Sequence, residues 1–134
     1  MKQYSAKRLY LRIAPRKVRL VADLVRSKPV DEALYILDLS TKRASMSLAK
    51  LLRSAAQNAK SDQNDLTEHD LRIVELTVDQ GPILRRFHAV SRGRAHSIDK
   101  KTSHITIVLQ SNKKPAAKKP KAKKPATPVK EKTT

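Results

Sequence analysis

Residues 81–104, GPILRRFHAVSRGRAHSIDKKTSH, constrain this chain more than any other stretch. They carry six Lys or Arg and one acid, with neither the 3.6-residue stripe of a helix nor the strict alternation of a half-buried strand. Such a segment cannot bury itself. A short β-branched run lies on each side, residues 71–78 before and 105–109 after. Two such runs joined by one connection read as an antiparallel hairpin whose basic middle extends beyond the body. About 23 residues folded back on themselves, at about 3.3 Å each, reach roughly 35 Å. A connection of that length argues for a function or a partner. Arg85, Arg86, Arg92, Arg94, Lys100 and Lys101 make that partner polyanionic. The plain alternative is a basic surface loop with no partner at all.

The overall charge points the same way. Thirty Lys plus Arg stand against twelve Asp plus Glu in 134 residues, a net charge of +18 that suits a dense phosphate polymer. A negative membrane surface would attract the same charge, but no apolar run approaches a bilayer span and no segment resembles a signal peptide, so no membrane is expected. The absence of Cys excludes disulfides and thiolate metal sites, and the cytoplasm is the default location. Tyr4, Tyr10, Tyr35 and Phe87 are too scattered to form the stacking platforms of single-strand binders. Recognition should rest on phosphate and shape.

Along the chain, Leu9, Leu11 and Ile13 alternate with Arg8, Tyr10 and Arg12, which predicts a half-buried strand over residues 5–13 with a basic outer face. Pro15 suits a helix first turn, and a helix over 15–26 follows. Val18, Val21, Ala22 and Val25 share its inner side, and Arg16, Arg19 and Arg26 lie opposite with Asp23. After Pro29, the spacing of Val30, Ala33, Leu34 and Leu37 predicts a second short helix, with Asp31 and Glu32 at its positive end. Ser40 or Thr41 can cap a third, whose stripe is Ala44, Leu48, Leu51, Leu52, Ala55 and Ala59.

Residues 61–80 hold six acids against Arg72 alone, an edge that should face away from phosphate. No fixed spacing brings these acids together for acid–base work, and turn chemistry explains them equally well. His88, His96 and His104 are eight apart, without metal-clamp logic, and no Gly-rich phosphate loop or nucleophile motif appears. No enzyme activity, metal or cofactor is expected. The prediction is one domain over residues 1–110, with the hairpin at about 80–104, and a disordered basic tail over 111–134. That tail has nine Lys, four Pro and one Glu, or +8, which leaves +10 on the rest.

Four motifs make the chain recognisable: APRKVRLVADL at 14–24, LLRSAAQNA at 51–59, VDQGPILRR at 78–86, and RGRA at 92–95 leading to TSHIT at 102–106. The chain resembles the family of large-subunit ribosomal protein twenty-two, bacterial type, over about residues 5–109. The resemblance implies an α+β body, three helices against a three-stranded antiparallel sheet, with a long hairpin that enters folded ribosomal RNA. It further implies contacts to several RNA domains during assembly, neighbouring large-subunit proteins, and a hairpin tip lining the nascent-polypeptide tunnel; no homo-oligomer is expected.

The residues expected to touch RNA are Lys7, Arg8, Arg12, Arg16, Lys17, Arg19, Arg26, Arg85, Arg86, Arg92, Arg94, Lys100, Lys101 and His104. Those expected at the tunnel are Leu84, Arg85, Arg86, Phe87, His88, Ala89, Val90, Ser91, Arg92 and Gly93. Family members usually carry Ser at position 14 and Gly at 27, where this chain has Ala14 and Ser27. A tract commonly Pro-Arg-Ala is Ala89-Val90-Ser91, and Ser97 and Asp99 replace residues that are often basic. The Lys-rich tail is outside the usual pattern and is expected to add counterion-releasing contacts. A DNA-compacting protein would use such a tail too, but it gives no reason for the hairpin.

Overall fold

The computed structural model describes residues 2–62 and 66–111. In chain order these form β1 (Gln3–Leu11), α1 (Pro15–Val25), α2 (Val30–Leu39), α3 (Arg43–Asp62), a 3-10 turn (Glu68–Asp70), β2 (Leu71–Ala89) and β3 (Ala95–Ser111). The sheet is antiparallel throughout, in the order β1-β3-β2. This is the expected α+β architecture. The tail predicted over 111–134 lies outside the described residues, except Ser111, which ends β3.

The three helices are held by the apolar stripes legible in their sequences. Val18, Val21, Ala22 and Val25 of α1 are buried, as are Val30, Ala33, Leu34 and Leu37 of α2. The α3 stripe Ala44, Leu48, Leu51, Leu52, Ala55 and Ala59 is likewise buried. They meet the inward face of the sheet, where Leu71, Ile73, Leu76 and Val78 of β2 and Ile105, Ile107 and Leu109 of β3 alternate with more exposed residues. Removing a side chain such as Leu48, Ile105 or Leu109 from water contributes about 1.5–3 kcal/mol before conformational entropy is set against it.

The first strand departs from its predicted span. It runs from Gln3 to Leu11, and Tyr4, Ala6 and Leu11 are its buried residues. Leu9 is 58% exposed. The cause is a bulge: Arg8 pairs with Ile105 and Leu11 with Ser103, so Leu9 and Tyr10 together oppose His104. Tyr10 sits at φ 55, and the extra residue exchanges inward and outward positions.

The ends of α1 are set by Ala14 and Ser27. Ala14 occupies the α1 N-cap without a side-chain hydrogen bond. Ser27, just past the C-cap Arg26, takes φ 62, the left-handed conformation that glycine adopts freely. Arg72 Nε donates to the Ser27 carbonyl at 2.9 Å, and the Ile73 amide donates to the Lys28 carbonyl at 3.1 Å, tying this connection to β2. The third helix begins at Arg43, beyond the expected caps. Ser40 Oγ instead accepts from the Lys42 amide at 3.5 Å.

Candidate nucleic-acid interface

From residue 83 onward, β2 and β3 leave the body and pair only with each other. Ile83 stands opposite Lys101, Arg86 opposite Ile98 and Ala89 opposite Ala95. The basic stretch that lacked a strand pattern is therefore strand after all. Its pairing needs no buried face, so no alternation is imposed on its sequence. The connection turns at Arg92 and Gly93, whose φ values of 61 and 67 are both positive, as mirror-image hairpin turns require.

The root is locked by polar contacts. The pairing shifts between Gln80 and Ile83, around Gly81 and Pro82. Thr102 Oγ1 donates to the Pro82 carbonyl at 2.7 Å, and Ser103 Oγ donates to the Ile13 carbonyl. The Tyr10 amide donates to His104 Nδ1 at 3.1 Å, and the two rings meet edge to face with centroids 4.8 Å apart. His104, expected as an RNA contact, is half-buried with one ring nitrogen committed to this joint. Because Nδ1 accepts, the neutral ring carries its proton on Nε2.

Register places Leu84, Arg86 and His88 on one face of the arm with Lys100, Ile98 and His96; the other face holds Ile83, Arg85 and Phe87 with Lys101, Asp99 and Ser97. Arg85, Arg86, Arg92, Arg94, Lys100 and Lys101 are all exposed. Phe87 is 77% exposed. Asp99 lies directly across from Arg85 and lowers the charge of that face. His88 and His96 are direct cross-strand neighbours, a juxtaposition that their eight-residue spacing conceals. Among the described residues, no group of three or more His, Cys, Asp or Glu is placed to hold a metal ion.

The body cations divide by use. Lys7, Arg8, Arg12, Arg16 and Lys17 are exposed. Arg19 donates to the Val78 carbonyl from Nε at 3.1 Å and from one terminal nitrogen at 2.8 Å, and Arg26 donates to Leu76 O at 3.2 Å while pairing with Asp23 at 2.7 Å. Both brace α1 against β2, and each guanidinium has five N–H donors, so donors remain for a ligand. The acids of residues 61–80 are partly consumed inside the body: Asp62 pairs with Lys2 and Glu68 with Lys60, each at 2.7 Å, and Asp70 accepts from Thr67.

Arg12, Lys17, Arg86, Lys100 and Lys101 come together around an open groove of about 930 Å³ between α1 and the arm root. Lys42, Arg43, Leu20 and Leu24 also line it, and sequence reasoning passed over all four. A signal existed: Leu20 and Leu24 are four apart and off the buried α1 stripe, and Lys42-Arg43 is a basic pair at a helix start. Lys7, Arg8 and Arg16 are not part of this assembly.

The family model described as ribosomal protein L22p/L17e matches residues 6–110. The large ribosomal subunit protein uL22 of Syntrophus aciditrophicus (strain SB) is 48% identical over 100 residues, covering 75% of this chain and 90% of that protein. Its counterpart from Thermus thermophilus is 49% identical over 100 residues, with 75% and 88% covered. That of Anaeromyxobacter sp. (strain K) is 50% identical over 100 residues, with 75% and 68% covered. The match runs from β1 through β3 and takes in the whole arm. The chain therefore belongs to the ribosomal protein L22p/L17e family, a family of structural and non-enzymatic ribosomal proteins.

Proposed function

We propose that this protein cements folded large-subunit ribosomal RNA, its body anchored on the RNA surface and its arm threaded between RNA segments with the tip lining the nascent-polypeptide tunnel. The observation that carries this reading is the arm: a paired, exposed hairpin whose six cations form no salt bridge among the described residues. RNA helices expose phosphates and 2′-hydroxyls while hiding most base edges, so a protein that binds them needs Arg and Lys placed by shape. Arg forks to a phosphate and Lys supplies a point charge. On the body, Lys7, Arg8, Arg12, Arg16 and Lys17 supply the anchoring cations, with Arg19 and Arg26 contributing their remaining donors. The Lys-rich segment beyond Ser111 adds counterion-releasing contacts to the RNA. Neighbouring large-subunit proteins complete the surroundings, and the protein acts as a single copy.

A photo-crosslinking side chain in place of Phe87 tests this in translating ribosomes. Adducts to large-subunit RNA and to the nascent chain are expected; adducts to neither would remove the tip from the tunnel.

A further inference from the structure

The groove between α1 and the arm root has a composition that general phosphate binding does not require. Leu20 and Leu24 line it although they are 67% and 52% exposed, while the inner stripe of the same helix is fully packed. Cations surround this apolar surface from three separate parts of the chain: Arg12 and Lys17 at the β1–α1 junction, Lys42 and Arg43 at the start of α3, and Arg86 and Lys100 at the arm root. Asp99 is the only acid in the lining, and none of these cations forms a salt bridge among the described residues.

We infer that the groove is a pocket for one unstacked RNA nucleotide, its base laid on Leu20 and Leu24 and its flanking phosphates held by the surrounding cations. This rests on the RNA-binding reading above and narrows it to a site that recognises an extruded base instead of duplex shape. The volume lies within the roughly 300–1,000 Å³ of sites that enclose small ligands. Arg side chains can also stack on a base plane, which compensates for the absence of aromatic residues in the lining. An acidic amphipathic helix would match the charge as well. It needs an apolar stripe several turns long, whereas Leu20 to Leu24 spans only about 6 Å along α1. One base matches that extent better than a helix does.

The test uses the full chain and two RNA probes: a perfect duplex, and the same duplex with one bulged 2-aminopurine, whose emission reports its surroundings. The chain is expected to bind the bulged probe about tenfold more tightly than the perfect duplex, with a change in emission. In the Leu20→Ser/Leu24→Ser variant, which keeps every charge and alters only exposed positions, the ratio of the two affinities should fall towards one; circular dichroism checks that it is folded. Tight binding of both probes without preference overturns the pocket and leaves the RNA-binding reading standing. Weak binding of both overturns the two together. A preference that the double variant retains, or displacement by an acidic amphipathic peptide without any bulge preference, overturns the pocket as well.

Discussion

Gly81 and Thr102 approach so closely at the arm root that a Cβ on Gly81 would stand 2.5 Å from Thr102 Oγ1. That oxygen is held by its bond to the Pro82 carbonyl, and a β-branched side chain has little rotamer freedom with which to retreat. Gly81→Ala should therefore force the strands apart and destabilise the fold by about 1–3 kcal/mol. Urea denaturation measures it, and an unchanged midpoint would show that the root is looser than described.

The ends of α1 make the opposite prediction. Ala14→Ser supplies the missing side-chain acceptor, and Ser27→Gly relieves a left-handed non-glycine residue. Each should stabilise by about 1 kcal/mol. Ala14 also lines the groove, so the Ser27 variant, away from it, reports on stability alone. A fall in the unfolding midpoint of that variant would contradict the account.

Much of this was open to reading in the sequence. The helices were legible because each buries one stripe, and stripes such as Val18, Val21, Ala22 and Val25 survive in any context. The hairpin was legible because residues 81–104 had nowhere else to go. The boundary of β1 was not, because a bulge at Tyr10 is a tertiary compromise with His104, and Leu9 only appears to belong to a regular alternation. The groove was hidden for a related reason. It is assembled from distant segments: the register of β2 on β3 sets Arg86 beside Lys100, and the packing of the helices beside the arm root brings Lys17 and Lys42 into the same lining.

Alkaline pH should loosen the body from its β1 end. Burial pushes the Tyr4 phenol above its ordinary value, and the Lys2 ammonium is raised by its hydrogen bond to Asp62, at 2.7 Å. Both folded-state values lie above the unfolded ones, so both contributions are complete below about pH 10 and are lost as pH rises through the raised values. Denaturation midpoints measured at increasing pH should decline above that point, and Tyr4→Phe should make the decline shallower. A decline equally steep in the variant would exclude Tyr4 as a source.

Arm cations should act on RNA without acting on the fold. Arg86→Ala and Arg94→Ala alter exposed positions and should change stability by no more than about 0.5 kcal/mol. Each should lower the slope of log affinity against log salt by about one for every phosphate contact removed. Binding titrations at several salt concentrations give the slope, and an unchanged slope in both variants would mean that the arm does not touch phosphate.

The central claim, that the arm threads folded RNA and does not merely adhere to it, is tested most directly by sedimentation. Large subunits carrying the full chain, or a chain with residues 83–100 replaced by a short turn, are washed at about 1 M salt, where screening confines electrostatics to about 3 Å, and run on a sucrose gradient. The full chain should remain with the subunit in stoichiometric amount while the armless chain is released. Equal retention of the two would contradict the account.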